Sequence, residues 1–343
     1  MLGKEEKLAV TRVMESGILS GYRGSWGDYF FGGEEVKALE TEWAAKFNVK
    51  HAIACNSATS GLWLACAAAG IKAGDDVIVS PYTMTCSASM PLHFGAVPVF
   101  ADVEPDYFCL DADDIERKIT VETKAIIVVD LFGMPYDADK INAIAKKHNI
   151  IVIEDAAQAC GATHKGRHAG TLGDIGVFSL NVHKHIQCGE GGIVVTDNDD
   201  LAWRIRLAMN HGEAVENDLQ PPYQNIAGMN MRMTELSAAI AREQLKKLDD
   251  ILEVYRVYAN YFPVKITPGC ESAFYRYAWR DKDLDISLIK WAVERKTFNV
   301  KHHYIKPIFQ MPLFQSLGYD TYQCLVCKEV NEDIILAWPK EAI

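Results

Sequence analysis

The 343-residue chain has few basic side chains and no long apolar run. It carries 35 Lys and Arg against 46 Asp and Glu, which gives a net charge of −11. Because nucleic-acid backbones bind to basic surfaces, we do not expect nucleic acid as a general partner. No apolar run approaches the roughly eighteen residues of a membrane span, and residues 3–7 lack the apolar core of a signal peptide. We therefore expect no membrane partner either.

The sequence also lacks the cysteine spacing of a zinc site. Its nine cysteines are an odd number, and several lie inside apolar segments, such as Cys55 and Cys66. This usage is typical of reduced thiols and predicts a cytoplasmic protein. Cys324 and Cys327 form one C-x-x-C motif without a second pair, so we interpret them as two buried thiols and predict no metal site.

From residue 51 onward the pattern alternates between strand and helix. Such alternation predicts an α/β fold, with a mostly parallel sheet covered by helices on both faces. In these sheets ligands bind beyond the carboxyl ends of the strands. The predicted strands are 51–55, 76–80, 97–101, 125–129, 150–154, 175–180 and 193–196, and the predicted helices are 59–69, 83–94, 113–119, 138–148, 201–209 and 235–248.

Two regions flank this alternating core. Before it, the pattern predicts helices 5–15 and 34–47, joined by a glycine-rich loop that carries Tyr22, Trp26, Tyr29, Phe30 and Phe31. After it, helices 250–261 and 288–295 and a strand 275–279 are predicted. We therefore predict a large domain over 1–248 and a small domain over 249–343. Adjacent His302 and His303 would point to opposite faces of a strand, so a metal site there is not expected.

A lysine follows one of the predicted buried strands. The apolar run 175–180 leads to Lys184, which has a histidine on each side, and then to a loop with Gly189, Gly191 and Gly192. A lysine amine in such a place can form a covalent bond with a carbonyl compound. Taken alone, this pattern favours a surface lysine beside a turn.

Two further strand ends carry polar residues. Small hydroxyl residues at 57–60 begin a helix, where unpaired N–H groups bind phosphate. The same residues also serve as ordinary helix caps. Asp155 ends another strand, and a carboxylate there is costly to bury unless it is paired or functional. A structural carboxylate that caps a nearby turn is the alternative.

The lysine segment resembles that of the DegT/DnrJ/EryC1/StrS aminotransferases. Family members read Phe-Ser-Phe-x-x-x-Lys-x-x-x-x-Gly-Glu-Gly-Gly, and Phe178, Ser179, Lys184 and residues 189–192 match, with Leu180 in place of the second aromatic. Four more motifs match in order: residues 57–60, 80–84, 154–158 and 228–235. The resemblance implies a fold-type I (aspartate aminotransferase-like) three-layer sandwich with a smaller α+β C-terminal domain, and pyridoxal 5'-phosphate (PLP) as cofactor.

The resemblance also assigns roles to individual residues. It implies that Lys184 forms a Schiff base with PLP, that Asp155 pairs with the ring nitrogen, and that Gln158 lies against the ring. Phosphate contacts are implied for Thr59, Ser60 and Ser179, and for Asn230 toward the neighbouring subunit. Family members usually stack an aromatic residue on the ring where this chain has Met84, so Met84 is the candidate for that contact.

The resemblance favours an aminotransferase that acts on a keto-sugar, with a nucleotide-linked sugar as the expected substrate. Glutamate is the usual amino donor in the family, and a homodimer with shared sites is expected. Three alternatives stay open: a sugar dehydratase on the same scaffold, a cyclitol as the amino acceptor, and a non-catalytic sensor. Family dehydratases have histidine at the lysine position, and the spacing from Ser179 and Gly189 places Lys184 there instead of His183 or His185.

Overall fold

A seven-stranded sheet forms the centre of the computed structural model, which describes residues 2–25, 27–213, 225–280 and 298–340. The strand order is β1-β9-β8-β5-β4-β2-β3. Strand β9 runs antiparallel to both neighbours, and the other adjacent pairs are parallel. The mostly parallel sheet is therefore confirmed. Its strands are β1 His51–Cys55, β2 Asp76–Val79, β3 Val97–Phe100, β4 Thr123–Val129, β5 Ile151–Asp155, β8 Ile175–Ser179 and β9 Gly192–Thr196.

The central strands are continuous apolar runs because both faces of the sheet are covered. All five residues of β8 and of β9 are buried, as are the last five of β4. Antiparallel sheets with one wet face would alternate instead. Helices form the two outer layers: α1 Lys4–Ser16, α2 Glu34–Phe47, α3 Ala58–Ala68, α4 Cys86–Ser89, α5 Ala112–Lys118, α6 Ala138–His148, α7 Asp199–Met209 and α8 Glu235–Lys246.

The predicted helix 83–94 was wrong in its extent. Only α4 is α-helical there, and residues Pro91–Phe94 form a separate 3-10 turn. Pro91 has no backbone N–H and its ring crowds the preceding turn, so the α-helix cannot continue through it. Met84, and Cys86 at the first position of α4, lie beside the carboxyl ends of the strands.

Beyond α8 the chain forms a second, antiparallel sheet. After α9, Leu248–Ala259, strands β11 Tyr277–Arg280, β13 Ile334–Pro339 and β12 Phe298–His302 pair in that order. Short helices α10, Pro312–Ser316, and α11, Leu325–Asp333, complete this part. The predicted strand 275–279 begins two residues later, at Tyr277. The predicted helix 288–295 lies outside the described residues.

The second part is anchored to the first by strand pairing as well as by packing. Strand β10, Cys270–Glu271, pairs with β6, Thr163–His164, which in turn pairs with β7, Arg167–His168. The boundary at residue 248 stays a prediction. Cys324 and Cys327 are both buried, as predicted, and all nine cysteines are free thiols. In the described ranges no helix is long and apolar enough to cross a membrane.

Candidate active site

A cavity of about 330 Å³ opens at the carboxyl ends of β4, β5 and β8. It lies where the fold predicts a ligand site, because all three strands point toward the same edge of the sheet. Its walls combine groups at strand ends, the first turn of α3, the loop after β8 and two tyrosines of the second part. The polar lining residues are Ser57, Thr59, Thr83, Cys86, Asp155, Gln158, Ser179, Asn181, His183, Lys184, Glu190, Tyr275 and Tyr304.

Lys184 lies in the loop that joins β8 to β9. The loop is closed by backbone hydrogen bonds, among them Leu180 N–H to the Gly191 carbonyl at 2.9 Å and Val182 N–H to the Gly189 carbonyl at 3.0 Å. A Cβ on Gly192 would lie 2.6 Å from the Ser57 carbonyl carbon, so only glycine lets this loop pack against the start of α3. The glycines noted in the sequence therefore place the half-buried Lys184 on the cavity.

Asp155 is 4% exposed and lies at the last position of β5. The Ser87 hydroxyl donates a hydrogen bond to Oδ2 at 2.8 Å, and the Ala157 N–H reaches Oδ1 at 3.2 Å. Burial raises the pKa of this carboxyl, while the two hydrogen bonds and the Lys184 charge oppose the rise. A cationic group in the cavity would favour its ionised form.

Behind Asp155 lies a buried carboxyl pair that the sequence analysis missed. Glu154 accepts three backbone N–H groups at 2.6 to 3.0 Å, and Asp130 accepts one, from Tyr136, at 3.0 Å. Burial and the charge of neighbouring Glu154 raise the pKa of Asp130 well above its usual range, whereas the three backbone donors oppose the rise that burial causes in the pKa of Glu154. Burial therefore favours the protonated form of Asp130 more than that of Glu154, because Glu154 has more donors to stabilise its charge.

Gln158 is buried and held from both ends of its amide. Its Oε1 accepts the Phe132 N–H at 2.8 Å, and its Nε2 donates to the Tyr304 hydroxyl at 3.3 Å. The Phe132 contact fixes which end of the amide faces Tyr304. Burial raises the pKa of Tyr304 to about 12, so its hydroxyl is neutral and able to donate.

Some hydroxyl residues at the start of α3 form the helix cap, and some face the cavity. Ser57 is the N-cap, and its Oγ accepts the Ser60 N–H at 3.1 Å. The Ser60 hydroxyl donates to Asn56 Oδ1 at 2.6 Å and lies outside the cavity lining, which is the helix-cap arrangement. Ser57 and Thr59 face the cavity, and Ser179 at the end of β8 lies beside them. Ser57 was not among the predicted site residues.

A match to a family model covers almost the whole chain. The model of the DegT/DnrJ/EryC1/StrS aminotransferase family matches residues 3–337. The chain belongs to the DegT/DnrJ/EryC1/StrS aminotransferase family. It is a PLP-dependent aminotransferase with the fold that the sequence motifs implied.

Individual members of the family agree with this assignment. The chain is 42% identical to a GDP-perosamine synthase of Caulobacter vibrioides over 234 residues, 68% of this chain and 62% of that protein, so the match spans less than two thirds of that relative. It is 37% identical to the spore coat polysaccharide biosynthesis protein SpsC of Bacillus subtilis over 314 residues, 86% of this chain and 76% of that protein. The X-ray structure of an aminotransferase from Psychrobacter cryohalolentis superposes with a TM-score of 0.86 at 30% identity, covering 98% of this chain and 91% of that one.

The residues around the cavity fit the cofactor of a DegT/DnrJ/EryC1/StrS aminotransferase. PLP has an aldehyde, a basic ring nitrogen and a phosphate, which require an amine, a carboxylate and a set of hydroxyl and N–H donors. Lys184 is an amine, Asp155 is a carboxyl group, Ser57 and Thr59 carry hydroxyls, and all four line one cavity. Met84 also lines the cavity, with 55% of its surface exposed.

One predicted site residue of this aminotransferase lies apart from the others. Asn230 is exposed, does not line the cavity, and its Oδ1 accepts a hydrogen bond from Arg232 Nε at 2.9 Å. The cavity residues that were not predicted are chiefly Tyr275 and Tyr304. Both come from the second part of the chain, where aromatic residues are frequent and their spacing alone does not distinguish core from site.

The aromatic loop before α2 is divided between core and surface. Tyr22 and Phe30 are buried against their own chain, whereas Tyr29 is 53% exposed with the Arg23 guanidinium 4.3 Å from its ring centroid. Trp26 lies outside the described residues. Of the described aromatic residues of this loop, Tyr29 is the exposed one, and exposed Arg23 lies over its ring.

Proposed function

We propose that this chain transfers an amino group from an amino-acid donor, glutamate, to a keto-sugar that is linked to a nucleotide. The observation that supports it most is the convergence of Lys184, Asp155 and the α3 hydroxyl turn on one cavity at the carboxyl edge of the sheet. The relatives named as a perosamine synthase and a spore coat polysaccharide protein support a sugar as the amino acceptor. The two domains, 1–248 and 249–343, would form opposite sides of this site.

Each residue has a distinct task in this proposal. PLP, when bound, supplies an electron sink through its ring. Asp155 keeps the ring nitrogen protonated, and its burial away from water strengthens that ion pair. Lys184 Nζ holds the cofactor covalently, and once released it takes a proton from the substrate carbon and returns it. Gln158 and Met84, which both line the cavity, would contact the ring.

The phosphate group of the cofactor would be held at the N-terminus of α3. Thr59 and Ser179 supply hydroxyl donors there, and the eleven-residue helix supplies unpaired N–H groups and the positive end of its dipole. Ser60 contributes through the cap it makes with Asn56. Asn230 is exposed and does not line the cavity of its own chain, so we assign it to the phosphate of a second copy.

This assignment makes the active unit a homodimer. A two-fold interface uses the same surface on both copies, so each chain would both give and receive an Asn230 contact. Exposed Tyr29 and Arg23 would then lie near the sugar nucleotide, whose base stacks on aromatic faces and whose phosphates accept from guanidinium groups. The free thiols of all nine cysteines support a reducing, cytoplasmic setting.

The alternatives differ in what they require of the cavity. A sugar dehydratase of this family needs histidine at the lysine position, and the residue that faces the reactive groups here is Lys184, with His185 buried behind it. A cyclitol acceptor would use the same residues without a nucleotide contact. A non-catalytic sensor would not need the lysine, the aspartate and the hydroxyl turn together.

A substrate panel tests the proposal. The purified protein is incubated with PLP, glutamate and a set of keto-sugars, with and without a linked nucleotide, and with a keto-cyclitol. Mass spectrometry then detects the aminated product and 2-oxoglutarate. We expect amination of a nucleotide-linked keto-sugar; dehydration of the sugar, or amination of the cyclitol alone, would favour an alternative. No turnover of glutamate by protein that has bound PLP would contradict the aminotransferase proposal with this donor.

A further inference from the structure

Tyr275 contacts the amine of Lys184 through its aromatic ring. The lysine Nζ lies 4.7 Å from the ring centroid, and both residues line the same cavity. This distance is within the roughly 6 Å over which a cation is attracted by the face of an aromatic ring. Among the described residues the amine makes no ion pair, and its cation–π partner is the ring of Tyr275.

Arg276 also contacts Tyr275 and holds its ring in place. The Arg276 guanidinium lies 4.2 Å from the ring centroid, and its Nη1 donates to the Tyr275 carbonyl at 2.8 Å. Arg276 is itself 4.9 Å from the centroid of the Trp338 ring on β13. The position of the tyrosine therefore depends on the second sheet and not on the lysine loop alone.

His185 connects the two segments. It follows Lys184 directly, is fully buried, and its Nε2 lies 2.9 Å from the Ala273 carbonyl, two residues before Tyr275. Burial lowers the pKa of His185 to about 4, so the ring is neutral near pH 7 and its Nε2–H donates to that carbonyl. The lysine loop and the tyrosine segment are thus fixed relative to each other by a hydrogen bond.

A cation–π contact distinguishes between the two states of an amine. The ring attracts an ammonium group and attracts a neutral amine only weakly. A lysine that takes and returns a proton passes through the ammonium state each time. We propose that Tyr275 is a positioning residue that holds the protonated amine of Lys184 over its ring whenever that amine is not bonded to the cofactor. This inference rests on the role of Lys184 proposed above.

Other titratable groups also act on this amine, and they come from several elements. Asp155 at the end of β5, the Cys86 thiol of α4 and the His185 ring interact with its charge. Glu190 and His183 line the same cavity. A substitution confined to the ring of Tyr275 leaves all of these groups unchanged, so its effect on the amine can be assigned to the ring.

The test replaces the ring without changing the shape of the cavity. Tyr275→Phe keeps the π face, and phenylalanine analogues with one, two and three ring fluorines at position 275 weaken it stepwise. Tyr275→Leu removes it. The measurement is the rate at which PLP-free protein forms its covalent bond with added PLP, followed by absorbance over a range of pH. This bond requires the neutral amine, so the pH midpoint of the rate reports the state of Lys184.

We expect Tyr275→Phe to match the parent and the midpoint to fall with each added fluorine. For Tyr275→Leu the fall should be about 0.4 to 1.5 pH units, which corresponds to a cation–π contact of about 0.5 to 2 kcal/mol. The affinity for pyridoxine phosphate, which has no aldehyde, should stay constant in the whole series and shows that the cavity is intact. The fluorinated series is decisive even where Tyr275→Leu does not fold.

The outcomes separate this inference from the proposed function. A midpoint that is constant across the fluorinated series, with PLP bonded to Lys184, overturns the role of Tyr275 and leaves the function in place. PLP bonded to another lysine overturns both. A midpoint that shifts in step with pyridoxine phosphate affinity would mean that the ring shapes the cavity and does not hold the amine, which also overturns the inference.

Discussion

The two walls of the cavity are built in different ways. One wall consists of strand ends and the start of α3: the backbone hydrogen bonds of the sheet fix Asp155 and Ser179, and Thr59 lies in the first turn of the helix. The other wall consists of Tyr275 and Tyr304, which reach the cavity from the second part of the chain through ring packing and single hydrogen bonds. The charged groups therefore belong to the wall that the sheet holds, and the two tyrosines of the other wall supply contacts to the residues of the first.

This difference also explains what could be predicted from the sequence. Asp155 and Lys184 follow buried strands, so alternation of strand and helix together with the family motifs placed both at one edge of the sheet. Tyr275 lies about ninety residues from Lys184, and no local period connects them. The Asp130–Glu154 pair was missed for a similar reason, because the two residues meet only through the pairing of β4 with β5.

Among substitutions in the strand-end wall, that of Lys184 should cause the largest loss of amino transfer. Lys184→Ala removes both the covalent contact with PLP and the group that moves the proton, so we expect amino transfer to fall by at least roughly 10²–10⁴-fold. Steady-state kinetics measures the loss. Lys147→Ala, which alters an exposed ion pair with Glu116, is the matched control and should behave as the parent. Comparable losses in the two variants would contradict the assignment.

Asp155→Asn tests the charge on the same wall. Asparagine keeps the size of the side chain but cannot stabilise a protonated ring nitrogen, so we expect kcat to fall by about 10²–10³-fold while PLP affinity changes much less. Equilibrium titration with PLP and steady-state kinetics separate the two quantities. Ser87→Ala removes only the hydroxyl that donates to Asp155 and should cause a smaller loss. Full activity in Asp155→Asn would refute the role of the carboxylate.

A mixture of two inactive variants tests whether a second chain contributes Asn230 to the active site. In a dimer of one Lys184→Ala chain and one Asn230→Ala chain, shared sites leave one site with both lesions and one with neither. Random exchange in an equal mixture should then restore about a quarter of the parent activity. Subunit exchange is verified with differently tagged chains. If activity stays absent although exchange is complete, each chain builds its site alone.

Tyr304→Phe tests the second wall with a smaller expected effect. The substitution removes the hydroxyl that accepts from Gln158 Nε2 and leaves a buried amide without that partner. A hydrogen bond of about 1 kcal/mol corresponds to roughly a fivefold fall in kcat. Gln158→Ala serves as the partner in a double-variant cycle. Additive losses would show that the two residues act independently and that this contact does not connect the walls.

The buried pair behind Asp155 should affect stability and its dependence on pH. Asp130 has a raised pKa, so the proton it holds stabilises the fold fully below the ordinary aspartate pKa, and this contribution is lost as pH rises through the raised value. Asp130→Asn removes this titration, so the fall in the free energy of unfolding from acid to neutral pH should become shallower. Urea unfolding at a series of pH values measures it. An unchanged slope would show that Asp130 does not hold the proton.

The central claim is that the strand-end wall binds PLP through Lys184. Borohydride reduction of the protein with its bound cofactor makes that bond permanent, and peptide mapping by mass spectrometry then locates the modified lysine. The account predicts a single phosphopyridoxyl group on Lys184 and none in Lys184→Ala. A label on any other lysine, or no label in protein that has bound PLP, would contradict it.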